Sequence, residues 1–171
     1  MIKLDCSSLG MVITIMKSGD EHDGKALEME WQVMPGAGGL PLHKHPFVEE
    51  VFEIRSGQLQ VYAKGEWITA RAGDVVTIEK GDPHTFKNIT NDLVYLRNIH
   101  EPAMGFEDYF KGLHKFANSG LVKNNTMTFK SVLGLATLWN NYPVEIRSVN
   151  PPNLLMKTFA LMGRLAGMNF K

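Results

Sequence analysis

The sequence predicts a mainly β protein, a small barrel or sandwich of short antiparallel strands followed by a helical segment. Three observations predict it. Up to Pro102, short runs rich in Val, Ile, Thr, Phe and Tyr are separated by Gly, Asp, Asn and Pro, a turn signal about every ten residues. From Gly105 the β-branched clusters thin out and apolar residues recur at helical spacing. Charge divides at the same place. Residues 1–102 carry ten Lys/Arg and fifteen Asp/Glu, net −5, whereas residues 103–171 carry eight and three, net +5.

The chain therefore reads as a β domain over 1–102 and a helical extension over 103–171 that packs on the barrel or on a partner. Expected strands are Val12–Met16, Leu27–Met34, Val51–Arg55, Leu59–Tyr62, Trp67–Thr69, Val75–Ile78, His84–Asn88 and Leu93–Ile99. Expected helices are Phe106–Ala117, Phe129–Asn141 and Asn153–Gly167, with Pro151 and Pro152 suited to the first turn of the last one. Gly57, Gly73 and Gly81 are expected at tight turns between strands.

Composition narrows the function classes. The 171 residues balance to zero formal charge and show no basic strip with interleaved aromatics, which argues against nucleic acid. Cys6 is the only cysteine, so no intrachain disulfide can form. Asp5, Ser7 and Ser8 interrupt the apolar N-terminal run, so it does not read as a signal peptide and the expected location is the cytoplasm.

The chemistry gathers in two stretches. In "PLHKHPFVEEVFEIRSG", His43 and His45 are two residues apart, so an extended strand turns both side chains to one face. Neutral imidazoles converging on one point begin a metal site. Alternation selects the carboxylate: with Glu50 inward, Phe52 and Ile54 are inward too, and Glu49, Val51, Glu53 and Arg55 face out. The opposite register would bury Glu53 and Arg55. In "GDVVTIEKGDPHTFKN", His84 shares its face with Phe86, and a buried neutral histidine needs a partner. An ion held by the first group would supply it.

These residues carry a resemblance. Gly38-x4-His43-x-His45-x4-Glu50-x6-Gly57 resembles the first cupin motif, and Gly73-x5-Glu79-x-Gly81-x2-His84-x3-Asn88 resembles the second. Fifteen residues lie between Gly57 and Gly73, close to the short spacing of small bacterial cupins. Two positions depart from the pattern: the first glycine stands one residue nearer the histidines, and Glu79 replaces a proline. Neither is a ligand position. The resemblance implies an antiparallel jelly-roll barrel with His43, His45, Glu50 and His84 as ligands of one divalent transition metal ion, Fe, Mn, Ni or Zn. Such a set leaves one or two coordination positions open.

The implied function is a metal-dependent enzyme, dioxygenase- or isomerase-like, acting on a small molecule inside the barrel, with Glu50 doubling as a catalytic base. The alternative is a non-catalytic, metal-dependent binding or sensor module. A helical segment that caps the barrel mouth would favour the second, and an open mouth the first. Asn88 reads as structural, His100 as a surface residue, and His22 and His114 as having no direct role. Tyr95 and Arg97 share a strand face and would hold an anionic substrate if that face were the inner one. Met11, Met16, Met29 and Met34 read as core or cavity lining.

The tail "PPNLLMKTFALMGRLAGMNFK" has Lys157, Arg164 and Lys171 seven apart in one cationic stripe without an acid. Leu155, Phe159, Met162, Ala166 and Phe170 lie roughly opposite. Three placements remain open: against the barrel or across a homodimer, on an anionic membrane surface, or across a bilayer, which two central charges disfavour.

Overall fold

Side-chain alternation fixes how the strands sit. Along β5 (Glu49–Ser56), Glu50, Phe52 and Ile54 are buried, while Glu49, Val51 and Glu53 are only half-buried. This is the register that the alternation of apolar residues predicts, and it turns Glu50 into the barrel. The computed structural model describes residues 1–19, 23–123 and 125–171. His22 lies outside the described residues.

The other strands are β1 (Ile2–Cys6), β2 (Met11–Lys17), β3 (Leu27–Val33), β4 (His43–Lys44), β6 (Gln58–Ala63), β7 (Glu66–Arg71), β8 (Val75–Ile78), β9 (Thr85–Lys87), β10 (Val94–Glu101) and β11 (Arg147–Ser148). One sheet has the order β1-β2-β3-β10-β5-β8, a second β7-β6-β9, and β11 pairs with β4. All pairs are antiparallel. Strand β10 is bonded on both sides, with His100 opposite Glu50 on β5 and opposite Leu27 on β3. Between the sheets, Trp31 packs against Phe52 and Phe86, with ring centroids 6.1 and 5.8 Å apart.

Gly57, Gly73 and Gly81 all have positive φ, as turns require. At Gly57 (φ 84°) the β5–β6 turn also brings the backbone against Val94, so a side chain there would meet both strain and neighbouring atoms. Strand β1 and the two-residue strands β4 and β11 were not expected from the sequence. The expected strand His84–Asn88 is shorter, with His84 in an isolated bridge to His43.

The extension forms α1 (Phe106–Ala117), α2 (Phe129–Asn141) and α3 (Asn153–Leu165). Thr128 and Ser131 make a reciprocal capping box at the start of α2. Helix α3 lies along α2 through Met156, Ala160 and Gly163. A Cβ on Gly163 would collide with Thr137 Oγ1, so the small residue sets the close approach. This corrects part of the expected apolar face, of which Phe159 is half-buried and Phe170 buried. Leu155, Met162 and Ala166 are exposed, because close helix packing selects the small residues rather than the large ones. Gly167 falls outside the helix, at φ 79°.

Candidate metal centre

His43 and His84 exchange backbone hydrogen bonds, N–H to O at 3.2 and 2.8 Å, which sets their imidazoles side by side with centroids 4.4 Å apart. His45 follows one residue beyond β4, 4.8 Å from the His84 ring. Each ring has its Nδ1 against a backbone carbonyl: His43 on Pro41 at 2.8 Å, His45 on Glu145 at 2.8 Å and His84 on Asp82 at 3.0 Å. Donation from Nδ1 fixes one tautomer and leaves every Nε2 lone pair free.

Glu50 completes the group. Its Oε1 accepts from Asn98 Nδ2 at 2.8 Å, while Oε2 lies 2.9 Å from His84 Nε2 and 3.4 Å from His45 Nε2. The close pair is not aligned as a hydrogen bond: Glu50 Oε2 and His84 Nε2 are buried without a bonded partner, and so is His100 Nδ1. Unsatisfied polar atoms at such depth are costly. A cation among them would satisfy the first two together.

The electrostatics agree. Burial works against the charge on Glu50, but His100 and the close contacts with His45 and His84 outweigh it and hold the carboxyl well below the usual carboxylate range. Burial, with repulsion from His84 and His45, holds His43 well below the usual imidazole range. Burial pushes His100 down to about 3. His84 is raised because its contact with Glu50 outweighs burial. The inner face is thus an anionic carboxylate among mostly neutral imidazoles, a donor set that suits borderline transition metal ions.

One expectation about β10 is corrected. His100 is 1% exposed and joins the site, its Nε2 3.7 Å from Glu50 Oε1. It continues the inward series Val94, Leu96 and Asn98, and that parity was readable in the sequence. Tyr95 and Arg97 face outward. Arg97 binds Glu28 at 2.7 Å and Glu53 at 3.0 Å, so neither residue lines the cavity. Asn88 is structural: its Nδ2 donates to the carbonyls of Val33, Met34 and Asp92. His114 sits on α1, with Nδ1 on the Asp5 carbonyl at 2.9 Å. Met11 lines the cavity, Met29 is buried, and Met16 and Met34 are half-buried.

The extension supplies the other wall of the site. Phe106, Tyr109, Phe110 and Leu113 follow i, i+3, i+4, i+7 spacing and turn one face of α1 into the barrel mouth. Phe106 lies 4.2 Å from the His100 ring and 4.8 Å from that of His45, and Phe110 lies 5.8 Å from Trp31. Trp139 of α2 approaches the His43 ring at 5.7 Å and donates Nε1–H to Tyr109 Oη at 3.3 Å. Ser148 on β11 pairs with His43. Glu145 holds His45 through its carbonyl, while its Oε1 accepts from Gly105 N at 3.2 Å at the start of α1. What remains is a cavity of about 20 Å³, enough for one water-sized occupant.

Comparison with known proteins follows the barrel. The family model described as a cupin domain matches residues 29–99. This part of the chain belongs to the cupin superfamily. A predicted oxalate decarboxylase from Thermotoga maritima is 24% identical and superposes with a TM-score of 0.52, over 54% of this chain and 80% of that one. An RmlC-like cupin from Shewanella frigidimarina is 18% identical, with a TM-score of 0.51 over 58% and 82%. The cupin domain of Cnp3 from Schizosaccharomyces pombe is 15% identical, with a TM-score of 0.52 over 66% and 75%. Likeness at these identities is one of fold. No curated protein matches the sequence.

Proposed function

We propose that this cupin binds one divalent transition metal ion, Fe, Mn, Ni or Zn, through His43, His45, Glu50 and His84. The observation that supports it most is the common orientation of three imidazoles, each with Nδ1 on a backbone carbonyl and Nε2 free, around a buried carboxylate. In this reading residues 1–102 supply the barrel and the ligands, and residues 103–171 supply the cap.

The cap favours a metal-dependent binding or sensor module. With α1 seated, the cavity of about 20 Å³ takes one ion-sized or water-sized occupant and no larger molecule. Burying Phe106, Tyr109, Phe110 and Leu113 contributes roughly 1.5–3 kcal/mol per side chain, so opening the mouth is costly.

The donor set supports a second reading, a dioxygenase- or isomerase-like enzyme. Four protein ligands leave coordination positions for a small molecule, and a bound ion would polarise a carbonyl or hold a chelating enolate. Glu50 would take up a proton at Oε2, the His84–Glu50 contact would set its basicity, and Phe106 would keep water away.

Calorimetric titration of the metal-free protein with each ion tests the binding step. Stoichiometric uptake that disappears in His43→Ala is expected, and unchanged uptake in that variant would contradict the ligand set. Oxygen-consumption and isomerase screens with the loaded protein and with Phe106→Ala separate the two readings. Turnover that the opened mouth accelerates would favour the enzyme, and silence in both proteins would favour the binder.

A further inference from the structure

We propose that the outer face of α3 docks on an anionic lipid surface, a partner role separate from the metal centre. With Met156, Ala160 and Gly163 turned to α2, the opposite side of α3 presents Leu154 (78% exposed), Leu161 (59%) and Leu165 (82%) at i, i+7, i+11, beside Leu155 and Met162. On the barrel the exposed large apolar residues, such as Phe47, Val75 and Ile89, are spread over separate strands and loops. On α3 five gather on thirteen residues. Phe129 of α2, 59% exposed and stacked edge-on against Phe159, continues the apolar surface sideways.

Charge identifies the occupant. Lys157 and Arg164 run along one edge of the stripe and Lys171 follows, while residues 146–171 contain no acid. Arg164 is exposed and keeps one hydrogen bond, to Asn141 Oδ1 at 3.1 Å. Two such faces paired antiparallel about a twofold axis would bring cations together without a counter-charge. The face is also small for a dimer. A helix of this length is about 20 Å long and about 10 Å wide, a footprint on the order of 200 Å² where a stable interface takes about 800 Å² per partner. A lipid surface requires no shape complementarity. Lying flat, α3 would sink its leucines to the acyl boundary and set Lys157 and Arg164 at the lipid phosphates. No described helix is long and apolar enough to cross a membrane, so the contact is peripheral. The acidic balance of residues 1–102 would be repelled by the same surface and would orient the molecule with its helical side toward the lipid.

Co-sedimentation with vesicles of equal phosphatidylcholine and phosphatidylglycerol, beside vesicles of phosphatidylcholine alone, tests this. The protein is expected to bind the anionic vesicles and not the neutral ones, and to be released by salt. The double variants Leu161→Gln/Leu165→Gln and Lys157→Gln/Arg164→Gln should each weaken binding about tenfold or more, with melting temperature and circular dichroism unchanged because these side chains are exposed. Absence of binding to anionic vesicles, or equal binding to neutral ones, would overturn the proposal. So would a solution dimer that Leu161→Gln/Leu165→Gln dissolves, which would give the face to a second copy of the chain.

Discussion

Glu50 and Glu53 stand three residues apart on β5 and live in opposite electrostatic worlds. Glu53 faces out and is met by two permanent cations, Arg97 Nη1 at 3.0 Å and Arg55 Nη2 at 2.6 Å. Glu50 faces in, is 3% exposed, and is met by Asn98 and by imidazoles. The outer acid is neutralised by residues that never lose their charge. The inner acid is surrounded by groups that are mostly neutral and present lone pairs. That difference leaves the outer face a finished surface and, in the proposed function, makes the inner face a socket for an exchangeable cation.

The contrast can be broken in several ways. The largest expected effect is on stability at the inner wall. Phe106→Ala should cost about 3–5 kcal/mol in urea unfolding, by transfer and cavity terms, whereas Tyr95→Ala on the outer face of β10 should cost about 0.5 kcal/mol or less. Similar losses at the two sites would mean that α1 does not seal the barrel.

Metal affinity comes next. Glu50→Gln keeps the shape and removes the carboxylate, and should weaken ion binding about 100-fold or more. Glu53→Gln on the same strand should leave the calorimetric titration unchanged. Equal effects would contradict the assignment of Glu50 as the ligand.

A smaller effect concerns pH in the metal-free protein. His43 and His100 have folded pKa values below the ordinary imidazole value of 6.5, so at lower pH the unfolded chain binds protons that the folded chain refuses. Stability should therefore fall as pH drops below about 6.5, by up to about 1.4 kcal/mol per pH unit for each histidine. His84 has the opposite sign: it is raised, is protonated in both states there, and its contribution is already complete. Glu50 is held low, so its contribution is complete above the ordinary carboxylate value of 4.5 and is lost progressively as pH falls below it. His100→Gln should remove about half of the slope. A flat melting profile from pH about 6.5 to about 5 would refute the buried neutral imidazoles.

The smallest effect lies on the outer face. A double-mutant cycle on Arg97 and Glu53 should return about 0.2–1 kcal/mol, as for partly exposed ion pairs. A larger coupling would show that the outer face carries more of the stability than its solvation allows.

The inner face was largely legible in the sequence because period-two alternation is local. Phe52 and Ile54 fixed the direction of Glu50, and Phe86 fixed that of His84. The same rule places His100 inside with Asn98. Reading the strand as ending before His100 hid it. The outer pairing of Arg97 depends on Glu28, sixty-nine residues away in sequence, and on Glu53, forty-four away, and no local period reveals either. The contribution of the extension was equally hidden. The bond from His45 to Glu145 spans one hundred residues and rests on a two-residue strand too short to leave a pattern. Helix α1 was legible as a helix, but its docking into the mouth depends on the shape of a barrel that sequence does not display.

The most direct test of the account is elemental analysis of protein purified without added metal, beside His84→Ala. The account predicts near-stoichiometric Fe, Mn, Ni or Zn in the wild type and its loss in the variant. No metal in either protein, equal melting temperatures and no uptake on reconstitution would contradict it and leave a capped barrel without a metal centre.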